Sequence, residues 1–198
     1  MTMTSMKRIT RESLMSLEVY AKVRNEFRAN AIAHKRLRTV HIGENVTLLF
    51  EDEMTIRYQI QEVLRVEKTF EEAGIQDELD AYTPLVPDGR NFKATMLIEY
   101  VDESERRIAL TKLKGIEVKT WVQVEGSKKV YAIADEDLQR ENETKTSAVH
   151  FLRFELTEEM AVALKYGVSL TMGVEHPQYS AEVEVTSQTR SALVKDLS

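Results

Sequence analysis

Apolar and polar positions recur along this chain with two periods, and the points where one gives way to the other predict its elements. Behind Thr10 as an N-cap with Glu12 in the first turn, Leu14, Leu17, Val23 and Phe27 fall at partly helical spacing and predict a first helix reaching about Arg38. Gly43 closes that segment, and Asn45 to Phe50 reads as a strand. Glu51, Asp52 and Glu53 give a second helix an acidic N-terminus, and Ile56, Ile60, Val63, Leu64 and Phe70 make its apolar stripe from Thr55 to Phe70. A shorter helix is expected from Gln76 to Tyr82 before a break at Pro84, Pro87, Asp88 and Gly89. Phe92 to Tyr100 alternates as a strand, Glu103 to Leu113 reads as a helix stopped by Gly115, and 118–124 pairs with 130–133 as an antiparallel hairpin around Gly126. Asp135 to Thr146 is charged and expected as exposed helix or loop, leading into a strand over 145–156. A helix from Thr157 to Gly167, strands over 168–174 and 179–185, and a short helical tail over 187–197 complete the order. With no repeat or low-complexity tract, this order predicts an α+β fold: a single domain over 10–198, an antiparallel or mixed sheet packed against helices, after an N-terminal extension over 1–9.

Composition narrows the function classes. A chain of 198 residues with 42% hydrophobic and 30% charged residues is long enough for one sizeable core and lies outside the disordered range. A net charge of -6 disfavours broad nucleic-acid binding, because the phosphate backbone meets a repelling average surface. The absence of cysteine excludes disulfides, thiolate metal sites and cysteine nucleophiles. The start, Met1-Thr2-Met3-Thr4-Ser5-Met6-Lys7-Arg8, has no apolar core of a signal peptide, Met6 reads as an alternative start, and no run reaches membrane-span length, so a cytoplasmic setting is expected.

The segment Lys145 to Leu156 carries the candidate chemistry. Strand alternation puts Ala148, His150, Leu152 and Phe154 on one side and Val149, Phe151, Arg153 and Glu155 on the other. A histidine and an arginine among such neighbours lose hydration and need partners. On the second helix Tyr58, Glu62 and Arg65 form a second stripe, and Glu67 interrupts the apolar one, which points it at the core margin. One reading is an anion pocket of Arg65, Arg90, His150 and Arg153, since guanidinium forks donate paired hydrogen bonds to carboxylate or phosphate. A second is a site for iron, zinc or manganese made of Glu62, Glu67, His150 and His176, although these residues have no diagnostic spacing. A third has Arg65 and Arg153 closing internal ion pairs with Glu62, Glu67 or Glu155, tying helix to sheet. The first helix gathers Lys22, Arg24, Arg28, Lys35, Arg36 and Arg38 against Glu26, a solvated face or a surface for an acidic partner.

Enzymatic motifs are lacking. Ser147 and His150 are three apart on a strand and face opposite sides, and no nucleophile elbow, dinucleotide or phosphate loop, or His-Glu-x-x-His motif is present. The expectation is a non-catalytic binding or accessory module, its polar pocket lying between the second helix and the His150 strand and taking a small anionic ligand or acidic partner.

Four stretches, Tyr58 to Arg65, Pro87-Asp88-Gly89-Arg90-Asn91, Lys145 to Phe154 and Gly173-Val174-Glu175-His176-Pro177, together resemble the bacterial family known as domain of unknown function 3501. The resemblance assigns no activity. It implies a genomic setting beside rubrerythrin-like and iron-sulfur oxidoreductase proteins, which makes a redox protein a conceivable partner. The alternative function is accordingly a non-haem iron or zinc accessory protein of redox or oxidative-stress metabolism.

Overall fold

The computed structural model describes residues 9–134 and 145–198. The strands are β1 (Thr39–Ile42), β2 (Val46–Phe50), β3 (Asn91–Ile98), β4 (Thr120–Val124), β5 (Val130–Tyr131), β6 (Val149–Glu155), β7 (Leu170–His176) and β8 (Tyr179–Glu184). The helices are α1 (Leu17–Arg36), α2 (Glu53–Glu67), α3 (Glu72–Tyr82), α4 (Glu103–Lys112), α5 (Glu158–Lys165) and α6 (Ser187–Leu193). Instead of one sheet there are two, each four-stranded and antiparallel, ordered β1-β2-β3-β6 and β5-β4-β7-β8. The class is α+β, as the element order predicts.

Alternation decides the layering. Leu48, Phe50, Phe92, Met96, Leu152 and Phe154 put one face of the first sheet against Val122, Val124, Leu170, Met172 and Val174 of the second. Leu110 of α4, Met160 and Leu164 of α5 and Leu193 of α6 join the same core. The opposite face of the first sheet receives α2, whose Ile56, Ile60 and Leu64 meet Ile75 and Leu79 of α3 and Phe151 of β6. Ile56, Ile60 and Leu64, each 2% exposed or less, contribute about 1.5–3 kcal/mol apiece on burial. α1 runs antiparallel along α2, with Tyr20 near Glu62 at one end and His34 near Asp52 at the other.

Local capping explains where the elements depart from the pattern. Thr10 starts only a short 3-10 turn, Arg11–Ser13, and α1 begins at Leu17 because Ser16 is its N-cap, its hydroxyl accepting from Val19 N at 3.4 Å. β1 occupies Thr39–Ile42, between the end of α1 and Gly43. α2 stops at Glu67 because Lys68 takes the left-handed conformation, φ 56°, so Phe70 leaves the stripe and is 60% exposed. Glu67 is exposed rather than turned toward the core. Of the expected extension over 1–9, residues 1–8 lie outside the described residues, while Ile9 is buried in the α2–α3 core. The charged segment 135–144 also lies outside them, and Thr146 at its end is buried. No helix among the described residues is long and apolar enough to cross a membrane.

Candidate functional site

The expected centre between α2 and the His150 strand does not form, because His150 and α2 lie on opposite faces of β6. His150 sits opposite Met96 on the face turned to the second sheet, 1% exposed, whereas Phe151 points to α2. The imidazole Nε2 of His150 lies 3.0 Å from Thr146 Oγ1 and 3.0 Å from the Ser147 carbonyl. His176 donates from Nε2 to the Lys114 carbonyl at 3.0 Å and accepts at Nδ1 from the Gln178 amide at 3.2 Å, so both of its ring nitrogens are engaged. Glu62, Glu67, His150 and His176 are therefore not brought into one ligand set. Among the described residues no three His, Asp or Glu side chains gather as a group able to hold a metal ion.

The anion set is divided for the same reason. Arg65 lies 3.4 Å from Glu62 within α2, and Arg153 is paired with Glu155 along β6. Glu62 is the hub of the helix layer. It accepts from Tyr20 Oη at 2.7 Å and from Arg24 Nε and Nη2 at 2.8 Å each, in the two-pronged geometry a guanidinium favours. The Arg24 hydrogen bonds, against the cost of burial and with help from Tyr20 and Arg65, hold its carboxyl down at about 2. Burial first, then the Glu62 hydrogen bond, raises the Tyr20 hydroxyl. A groove of about 400 Å³ beside this hub is lined by Lys35, Tyr58, Gln59, Val63, Val66 and Glu67.

The basic first helix is likewise partly internal. Arg24 serves Glu62, and Arg38, just past the helix, is 1% exposed. Its guanidinium donates to the carbonyls of Phe50 at 2.9 Å, Glu51 at 3.1 Å and Ala192 at 3.2 Å, and to the Asp196 carboxylate. Asp52, 3.5 Å from the same guanidinium, also receives His34 Nε2 at 2.6 Å. Burial pushes Asp196 up to about 6, with Arg38 pulling the other way. This knot fixes the end of β2 and the start of α2 to the C-terminal segment. Its partners are up to 158 residues apart in sequence, which is why no local spacing reveals it.

Arg90 alone of the expected anion ligands faces a roomy cleft. The Asp88 carboxylate accepts from the Arg90 amide at 3.0 Å, and Gly89 takes φ 96°, so the turn after Pro87 projects Arg90 outward. The Arg90 carbonyl accepts from the Leu156 amide at 2.9 Å, placing the turn beside the start of α5, where Thr157 caps the helix. The resulting cleft, about 600 Å³, is lined by Arg90, Lys165 and Glu158, with Leu156, Ala161 and Val162 as its apolar wall. Neither the Arg90 guanidinium nor the Lys165 ammonium has an ion-pair or hydrogen-bond partner among the described residues. Lys165, the last residue of α5 and absent from the sequence-based set, joins Arg90 only because the turn and the helix share a wall.

The model of the family described as protein of unknown function (DUF3501) matches residues 8–197. The chain is similar to a crystallised novel protein of unknown function from Burkholderia pseudomallei K96243, with 53% identity and a TM-score of 0.92 over 97% of this chain and 100% of that one. No curated protein matches. By the extent of the family match and by this likeness, the chain belongs to the family of unknown function DUF3501.

Proposed function

We propose that the protein is a cytoplasmic, non-catalytic binding module that takes a small organic anion in the cleft between the Arg90 turn and α5. The observation that carries this reading is the pair of cations, Arg90 and Lys165, that share one cleft and have no partner among the described residues, while Arg24, Arg38, Arg65 and Arg153 are engaged by the chain's own carboxylates. A guanidinium can take a carboxylate through two parallel hydrogen bonds, and the Leu156, Ala161 and Val162 wall favours a ligand with an apolar body. Glu158 on the same cleft repels a second negative charge, so a monocarboxylate suits it better than a phosphate dianion.

Titration with benzoate and with inorganic phosphate, followed by amide chemical shifts, tests this. Benzoate is expected to move the Arg90, Thr157 and Lys165 signals saturably at lower concentration than phosphate. Arg90→Ala and Lys165→Ala each weaken binding roughly tenfold, the scale of a lost charge-assisted hydrogen bond. Absence of saturation, or equal binding by the Arg90→Ala/Lys165→Ala double variant, overturns the reading.

A further inference from the structure

The outer face of the second sheet holds an ammonium group in a setting that the fold does not require. Trp121, the chain's one tryptophan, lies on the side of β4 opposite Val122 and Val124, which point into the core. It is nevertheless 1% exposed. Across the ladder stands Gly173, where a Cβ would sit 2.4 Å from the indole Cζ2, so the ring lies against bare backbone. The Nζ of Lys129 rests 3.8 Å from the centre of the indole ring and is paired with Glu175 Oε1. The other carboxylate oxygen accepts from the hydroxyl of Tyr131, the cross-strand partner of Trp121, at 2.7 Å. Lys129 first and Tyr131 second hold the Glu175 carboxyl below its ordinary range. The indole Nε1 is buried without a hydrogen-bond partner among the described residues.

A flat ring face and a carboxylate on one nitrogen cation, the carboxylate steadied from its other oxygen by the Tyr131 hydroxyl, are groups that recognise alkylammonium ions. Lys129 reaches them from the loop between β4 and β5, just before the paired residues Val130 and Tyr131, so its side chain can leave without breaking a ladder. Its ion pair is part-exposed, with side-chain exposures of 28% for Lys129 and 43% for Glu175, and so is weakly held.

We propose that Trp121, Tyr131 and Glu175 form a binding site for an organic ammonium ion, which Lys129 occupies from within the same chain. A methylated ammonium is the fitting class, because it sheds water more easily than a primary amine and gains more from the ring face. The tethered lysine competes at an effective concentration in the millimolar range, which holds the site closed against weak ligands.

Because Trp121 is the one tryptophan, its fluorescence reads the site directly. Tetramethylammonium chloride is titrated into the full chain, with sodium chloride at equal ionic strength as reference. In Lys129→Ala the emission is expected to change saturably, at a midpoint at least tenfold lower than in the parent protein, and Lys129→Ala/Glu175→Gln loses most of that response. A Lys129→Ala protein with parental circular dichroism and no saturable response, or with the parental midpoint, overturns the proposal. If that variant does not fold, the parent protein is titrated to high tetramethylammonium while the indole N–H resonance is followed. Saturable movement beyond the sodium chloride reference supports displacement of Lys129, and its absence overturns the proposal.

Discussion

Glu62 shows how far a residue's role exceeds its local spacing. Its three-residue step to Arg65 is readable in the sequence, but Tyr20 and Arg24, which supply the shorter hydrogen bonds, lie 42 and 38 residues away. Only the antiparallel packing of α1 on α2 brings them together. Because the folded carboxyl is held at about 2, below its ordinary 4.5, its ionised form stabilises the fold, fully above about pH 4.5 and progressively less as pH falls toward 2. Glu62→Gln is therefore expected to lower the unfolding free energy at pH 7 by about 1–3 kcal/mol. Urea denaturation at pH 7 and pH 3 checks this, since the gap between variant and parent should shrink at pH 3. A gap of the same size at both pH values assigns the loss to packing instead of charge.

At the scale of elements, what was legible followed from alternation and turn chemistry, and what was not followed from pairing between distant strands. The β4–β5 hairpin was readable because alternating residues flank a glycine-containing turn, and Gly126 indeed takes φ 80° there. Alternation also sorts the two faces of β6, yet it carries no sign of which face meets a helix, so the sequence expectation of His150 beside α2 meets a structure in which it lies on the other side. β1 is not legible in the sequence because its four residues follow a basic helical run and are too few to show a period of their own. The pairing of Trp121 with Gly173 was invisible for want of register, although both residue types were plain. That contact predicts the outcome of Gly173→Ala. The added Cβ would meet the indole at 2.4 Å and the Ala181 carbonyl oxygen at 2.8 Å, and backbone cannot yield as a flexible side chain does. A loss of about 1–3 kcal/mol is expected, together with a red shift of Trp121 emission as the ring is lifted from the sheet. An unchanged melting curve and emission maximum would show that the strand accommodates the methyl group.

For the whole molecule, the first sheet belongs to two cores at once. Phe154 and Leu152 of β6 enter the core between the sheets, and Phe151 of the same strand enters the core beneath α2 and α3. A β-strand cannot order one face and leave the other disordered, so loss of the helix layer strips apolar cover from the sheet that the second core needs. The Arg38 knot adds a polar tie in the same sense, because its partners come from β2 and from the C-terminal segment together. The expectation of one unit over residues 10–198 thus becomes a prediction about coupling. Ile60 is fully buried under α2, in the core that does not contain Trp121. Ile60→Ala should cost about 2–5 kcal/mol through lost transfer energy and the cavity it leaves. If the cores unfold together, the urea midpoint read by Trp121 fluorescence on the far sheet falls as much as the midpoint read by helical circular dichroism. A fluorescence transition that stays at its parental midpoint while the helical signal moves would mean that the helix layer melts alone.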